Sequence, residues 1–308
     1  MKNIKKIVIA LFAIFPLVLS NLSIAPGVLA KEDYTIGLAL STTNNPFFVD
    51  LQKGVEEAAK EMGATVQVVD AQDDATTQLN GLDDLMTQGV DILLINPVDS
   101  DAIVPAIKNA NEADIPVITI DRNAADGEVV SLVASNNVEG GKMAAEFIIE
   151  KVGEGSKVIQ LEGVPGASAT NERGEGFEEG AKDKLDIIAS QSANFNRSEG
   201  LTVMENLLQA HPDVKAVFAQ NDEMALGAIE AIKAAGLEED VLVVGFDGND
   251  DGLEAVKEGE LAATIAQQPK EMGRLAVEAA INHLNEKEVE ESIASPLELV
   301  TKDTLEEK

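Results

Sequence analysis

The sequence predicts an α/β protein of two similar lobes, each a doubly wound parallel sheet. Three observations predict it. Short apolar runs without polar alternation, the mark of strands covered on both faces, recur along the chain. Amphipathic segments of helical period separate them, as the crossovers of a parallel sheet require. The series is too long for one compact sheet, and 308 residues suffice for two cores.

In order, strands are expected at Tyr34–Leu40, Thr65–Asp70, Ile92–Asn96 and Val117–Asp121, with helices near 47–62, 75–88 and 100–113. A second series is read from Val129–Ser135 onward. It runs through Lys157–Glu162, Ile187–Ala193, Ala216–Asn221 and Leu242–Asp247, with helices near 137–151, 168–184, 198–210, 223–235 and 250–258. A further β-rich run, ATIAQ, ends at Gln267, and a late amphipathic helix carries His283. No short-period repeat or low-complexity linker interrupts the pattern. The lobes are therefore expected to be joined by more than one short crossover.

Residues 1–30 stand apart. Lys2, Lys5 and Lys6 precede the apolar stretch Ile7–Leu19, and Val28-Leu29-Ala30 supplies small residues for a cleavage site. The segment has no acidic residue in a chain otherwise rich in them. This is the pattern of a secretory signal peptide cleaved after Ala30, and no second apolar run follows it. A soluble periplasmic protein is the expectation. With no cysteine there is no disulfide, no thiolate metal site and no lipid-modified cysteine. Two histidines, His211 and His283, are too few for a zinc site or a histidine-based triad, and no cofactor is implied.

The charge is extreme. Without residues 1–30 the chain loses three lysines and no acid, leaving 20 basic residues against 55 acidic, a net charge of −35. Nucleic acid and anionic membranes are not expected as partners on that ground. Stretches such as EEAAKE and EEGAKDKLD read as solvated helix faces. A sharper reading is adaptation to high salt, where screening relieves self-repulsion.

Five apolar runs end abruptly in polar or aromatic side chains. ILLINP ends at Asn96, VITIDR at Asp121 and Arg122, AVFAQND at Asn221 and Asp222, VVGFDG at Phe246 and Asp247, and ATIAQ at Gln267. Ligands of open α/β sheets collect outside the carboxyl ends of the strands. Asp121 and Asp247 can each accept two hydroxyl protons, Arg122 and Arg173 present donor forks, and the amides add a donor and an acceptor each. No nucleophile–base pair is mixed in with them. This is chemistry for holding a polyhydroxylated molecule. Asp222 has a plainer reading too, as the cap of the helix that follows.

Across nearly the whole chain after residue 30, the sequence resembles the ribose-binding proteins of bacterial ABC import systems, of the type I periplasmic binding protein fold. The resemblance is carried by STTNNPFF, LLINPVDSDA, IPVITIDR, ERGEGF, HPDVKAVFAQNDEMALGA, VVGFDG and LAATIAQ. It implies two lobes joined by three crossovers, near Ser135, Gln267 and Pro296, with the sugar in the cleft between. The first lobe would be 31–134 plus 268–295, and the second 136–266 plus 297–308. It implies a set of ligand residues: Asn45, Phe47 and Phe48 in NNPFF, Asn96 in INP, Asp121 and Arg122 in IDR, and Arg173 in ERGEGF. Phe195 follows in NFN, flanked by asparagines where relatives more often show an acid. Asn221 in QND, Phe246 and Asp247 in GFDG, and Gln267 in IAQ complete it. Of the seven phenylalanines after residue 30, four belong to this ligand set, as flat rings against sugar C–H faces require. Core packing is an equal reading for Phe48. The implied partners are D-ribose and the membrane permease of an ABC importer, with a chemoreceptor as a further candidate, and a monomer is expected.

Other motifs are set aside. Asp247 to Glu258 matches an EF-hand calcium loop by letter, but it follows a strand signal where a helix is required, and the sugar cluster claims Asp247. Gly153-Glu-Gly155-Ser-Lys157 lacks phosphate-loop spacing and precedes a strand, Gly174-Glu-Gly176 is no complete dinucleotide fingerprint, and Asn196-Arg-Ser198 is a bare sequon. A sugar-responsive repressor would need a basic helix-turn-helix where the signal segment stands. A carbohydrate hydrolase could use paired carboxylates, yet Asp121 and Asp247 sit in motifs better explained by binding. Within the receptor class, allose is the alternative ligand.

Overall fold

The computed structural model describes residues 34–306. The signal segment and its cleavage after Ala30 lie outside the described residues. Two six-stranded sheets carry the fold. The first contains β1 (Thr35–Leu40), β2 (Thr65–Asp70), β3 (Ile92–Ile95), β4 (Val117–Ile120), β5 (Ser131–Ser135) and β11 (Ser292–Ser295). Their spatial order is β11-β5-β4-β3-β1-β2, with every pairing parallel. The second contains β6 (Ser156–Glu162), β7 (Leu185–Ser192), β8 (Ala216–Ala219), β9 (Leu242–Asp247), β10 (Ala263–Ala266) and β12 (Glu298–Thr301). Its order is β12-β10-β9-β8-β6-β7, antiparallel only where β12 meets β10. Both sheets wind in the same sequence, with the direction of winding reversing beside β1 and beside β6. That reversal opens a crevice at the carboxyl edge of each sheet.

Both faces of each sheet are covered, which is why the strands read as unbroken apolar runs. Leu94 and Ile118 point towards α1 (Pro46–Glu61) and α9 (Pro269–Leu284), packing with Leu51, Val55 and Met272. Leu93 and Ile95 point the other way, into a core with Leu82 and Leu85 of α2 (Ala75–Thr87) and Ile107 of α3 (Val104–Glu112). The second sheet repeats the arrangement. Phe218, Phe246 and Ile265 face α4 (Asn137–Val152) and α5 (Ser168–Ala181), where Phe177 stacks on Phe218 with centroids 4.6 Å apart. Ile159, Leu161 and Val217 face α6 (Arg197–Ala210), α7 (Asp222–Ala234) and α8 (Asp250–Glu258). A short α10 (Lys302–Glu306) ends the described chain.

Glycines let the helix pairs approach. A Cβ at Gly54 of α1 would lie 2.2 Å from the Lys270 carbonyl oxygen, and one at Gly141 of α4 2.3 Å from that of Arg173. Neither position tolerates a side chain without parting its helices.

The chain leaves the first sheet after Ser135, returns through Gln267–Gln268, and crosses once more between Ser295 and Glu298. Val129–Ser135, read from sequence as the start of the second series, is a correction. Its strand is β5, and it pairs with β4 and β11 in the first sheet. Strand periodicity reports burial, not partners, and only the resemblance, which puts 31–134 in the first lobe, assigned most of this strand as the pairings do. The helix expected near 100–113 starts only at Val104, because Asp99 Oδ1 takes the Asp101 and Ala102 N–H groups in a preceding turn. The lobes are shut on one another. The Ser100 N–H donates to the Gly166 carbonyl at 3.0 Å, and the Asn123 N–H to Ser168 Oγ at 2.8 Å.

Candidate functional site

The carboxyl edges of both sheets converge on a small cavity in the shut cleft. Asn45, Phe47, Phe48, Asp121 and Arg122 line it from the first lobe; Ala169, Arg173, Phe195, Asn221 and Asp247 line it from the second, with Gln267 at a crossover.

On the first lobe, Asn45 caps α1, its side chain accepting the Phe47 N–H at 2.9 Å. Phe47 and Phe48 enter the first turn of α1 edge to face, 5.2 Å apart. Both are core residues as well as cavity walls, so the two readings of Phe48 hold together. Asn96 is fully enclosed behind the cavity and does not line it. It accepts the Ser41 hydroxyl at 2.6 Å and donates to Asp121 Oδ2 at 3.1 Å, which aims that carboxylate. Arg122 donates to the Pro97 carbonyl at 3.1 Å and lies between two rings, 5.2 Å from Phe48 and 5.5 Å from Phe195. The second ring belongs to the other lobe, so this cation–π contact spans the cleft.

On the second lobe, Arg173 is held by three neighbours. Its Nε donates to Asn137 Oδ1 at 2.9 Å, its Nη1 donates to the Gln220 carbonyl at 2.7 Å, and Asp247 Oδ1 stands 3.6 Å away. Its guanidinium lies 3.8 Å above the Phe246 ring, which is wholly enclosed and backs the site without lining it. Phe195 and Asn194 both adopt left-handed backbone, φ +55° and +52°. A Cβ at Gly163 would come within 2.0 Å of the Phe195 ring, so glycine there makes room for it. Asn221 caps α7, accepting the Met224 N–H at 2.9 Å, and donates to the Phe195 carbonyl at 3.2 Å. Asp222 is therefore not the cap; its carboxylate turns inward to the Gly248 and Asn249 N–H groups. The Gln267 amide donates to Asp247 Oδ1 at 2.9 Å.

Three buried polar atoms of these residues have no hydrogen-bond partner: Asp121 Oδ1, Arg122 Nε and Gln267 Oε1. An unpaired buried group costs roughly 1–3 kcal/mol, so proteins seldom keep several together unless something satisfies them. Two acceptors and a donor beside one cavity describe a ligand that both donates and accepts, as hydroxyls do.

Comparison with known proteins agrees with this geometry. Residues 36–288 match the family described as periplasmic binding protein domain. The ribose import binding protein of Bacillus subtilis (strain 168) is 58% identical over 271 residues, 88% of each chain. That of Escherichia coli (strain K12) is 52% identical over 281 residues, 91% of this chain and 94% of the relative. Among solved structures, an ABC transporter periplasmic solute binding protein from Actinobacillus succinogenes with bound D-allose superposes with a TM-score of 0.83. It is 31% identical, over 89% of this chain and 100% of the other. The chain belongs to the periplasmic binding protein family.

In this periplasmic binding protein two carboxylates and two guanidiniums share a water-poor cleft. Burial raises the Asp121 carboxyl above its ordinary range, with Arg122, Arg173 and Asn96 opposing. Burial pushes Asp247 up to about 7, against the pull of Arg173 and Gln267 and with the push of Asp121 and Glu223. Asp222 is also raised well above its ordinary range, by burial and then by Asp247. Burial lowers both arginines, Arg122 and Arg173, from a value far too high for either to lose its charge.

Several residues at the site escape sequence reasoning. Ala169 lines the cavity, but a lone alanine carries no signal. Asn137 and Gln220 orient Arg173, and Gln220 Oε1 also accepts the Gly163 N–H at 2.9 Å. Gln220 adjoins Asn221 in QND, but nothing in the letters marks it as a support for Arg173. The calcium-loop reading meets its physical obstacle here: the segment follows β9, and Asn249 caps α8 by accepting the Gly252 N–H at 3.1 Å.

Proposed function

We propose that this chain is an exported receptor that captures D-ribose between its lobes and delivers it to the permease of an ABC importer, without catalysing a reaction. One observation carries the reading. Charged and amide groups from both lobes, three of their polar atoms without a hydrogen-bond partner, converge between phenyl rings on the cleft. Asp121 and Asp247 accept hydroxyl protons, Arg122 and Arg173 donate to hydroxyl oxygens, and Gln267, Asn45 and Asn221 fill the rim. Phe47, Phe48 and Phe195 cover the C–H faces of the sugar ring. Asn96 and Phe246 serve from behind, by aiming Asp121 and supporting Arg173. Ribose is favoured because relatives named for ribose import reach 58% identity. A receptor for allose is the second reading, favoured by the solved relative that holds it.

Arg173→Ala tests the site. Charge-assisted hydrogen bonds contribute about 1.5–3 kcal/mol, so ribose should bind at least about tenfold more weakly. Arg173 is bonded within its own lobe, so the variant should also melt lower, and affinity is to be measured well below that temperature. Arg173→Lys keeps the charge and loses the fork, and should fall between. A variant that binds ribose like the parent removes Arg173 from the site.

A further inference from the structure

Among the described residues three acidic side chains are buried: Asp121, Asp222 and Asp247. Asp121 and Asp247 line the cavity, whereas Asp222 does not. Asp222 opens α7, and its Oδ2 accepts the N–H groups of Gly248 at 2.8 Å and Asn249 at 3.0 Å. Its Oδ1 accepts the Thr264 hydroxyl at 2.7 Å. One carboxylate thus ties together the start of α7, the turn after β9, and strand β10. The slot is shaped for it. A Cβ at Gly245 would lie 2.3 Å from Oδ1, and one at Gly252 2.3 Å from Oδ2.

What this clamp holds is the backbone of a strained residue. Asp247 has φ +114°, and Gly248 after it has φ +71°. A non-glycine residue keeps such a conformation only where its surroundings over-determine it. On the strand side, the Asp247 carbonyl accepts the Gln267 N–H at 2.8 Å, and its carboxylate accepts the Gln267 amide at 2.9 Å. On the other side, Asp222 takes the next two backbone amides. Without it, the N–H groups of the half-buried Gly248 and Asn249 lose this acceptor and the turn is free to relax.

We propose that Asp222 is a positioning residue of the sugar site, fixing the turn from Asp247 to Asn249 so that the Asp247 carboxylate meets the ligand's hydroxyls. It does this without touching the ligand, and the inference rests on reading Asp247 as a sugar contact. Burial and the neighbouring Asp247 push the Asp222 carboxyl well above its ordinary range. A neutral amide is therefore a close substitute. Its oxygen can accept both N–H groups, and its nitrogen can donate to the Thr264 hydroxyl.

The test uses Asp222→Ala, Asp222→Asn and Thr264→Val with two readouts. One is ribose affinity by calorimetry, well below each variant's melting temperature. The other is amide hydrogen exchange at Gly248 and Asn249 in the sugar-free protein. Positioning predicts that Asp222→Ala binds ribose about tenfold or more weakly and loses protection at both amides. Asp222→Asn should stay within about threefold of the parent, with both amides protected. A role confined to folding would lower the melting temperature of Asp222→Ala and leave its affinity unchanged; that result overturns the proposal. An Asn variant as weak as the Ala variant overturns it too. Should Asp222→Ala not fold, Thr264→Val decides: about threefold weaker binding supports the clamp, and parental affinity overturns it. A parent that ignores ribose refutes the ligand reading instead, and the exchange measurement, which needs no sugar, still decides whether Asp222 holds the turn.

Discussion

At the residue scale the site is governed by carboxylates placed where water is scarce. Asp247 gives this a measurable consequence. Its carboxyl rises from an ordinary 3.8 to about 7 in the folded protein. The folded state thus binds this proton more tightly than the unfolded chain does. The stability it contributes is fully present below about 3.8 and is lost as pH rises through about 7. Asp222, raised in the same direction, adds to the trend, while Arg173, Gln267, Asp121 and Glu223 set where it falls. Sugar-free parent protein should therefore lose several degrees of melting temperature relative to Asp247→Asn between pH 5.5 and pH 8, roughly. Parallel pH profiles for the two proteins would count against the buried pair. Much of this site was legible in the sequence, because Asn96, Asp121, Asn221, Asp247 and Gln267 stand where apolar runs stop. What was not legible is their ranking by depth. Nothing in the letters says that Asn96 and Phe246 sit behind the cavity while Ala169 lines it, or that Asn221 caps α7 and leaves Asp222 to face inward. Those outcomes depend on backbone turns such as the positive φ of Asp247, which only the packed structure fixes.

At the scale of elements, alternation of strand and helix revealed the class of fold, since each strand is buried on both faces and each helix on one. The pattern failed at β5, whose sheet is decided by neighbours far away in the chain, β4 and β11. It also left β11 and β12 unread, two four-residue strands with little apolar content of their own. Helix contacts were invisible for a different reason, because they rest on glycines whose role is absence. Gly54 lies in the α1–α9 interface, where an added methyl would meet the Lys270 carbonyl oxygen at 2.2 Å. Gly54→Ala should force the helices apart at a cost of about 1–3 kcal/mol, and thermal unfolding should show a drop of several degrees. Because α1 carries Asn45, Phe47 and Phe48, ribose affinity should fall with it. An unchanged melting curve would mean that the interface yields more readily than its geometry allows.

At the scale of the whole molecule, the two lobes share one winding order and meet across a shut cleft. The proposed ligand residues come from both, and the contacts Ser100–Gly166 and Asn123–Ser168 close the edge beyond them. A ligand held by both lobes would bind the shut form better than any open one, and under the proposed function that preference turns capture into a change of shape for a permease to read. The surface belongs to a different account. With 55 acidic residues against 23 basic ones, cations are too few to pair every carboxylate, and the helices carry the excess outward. Binding is expected to depend on the cleft and not on that excess. The most direct test is calorimetric titration of the sugar-free protein with D-ribose, D-allose, L-arabinose and D-xylose. Moving or adding one hydroxyl group leaves a buried Asp or Arg badly paired, at about 1–3 kcal/mol per lost partner. D-ribose should bind tightest, by about tenfold or more over each of the others. Equal affinity for all four sugars, or no heat with D-ribose, would contradict the account.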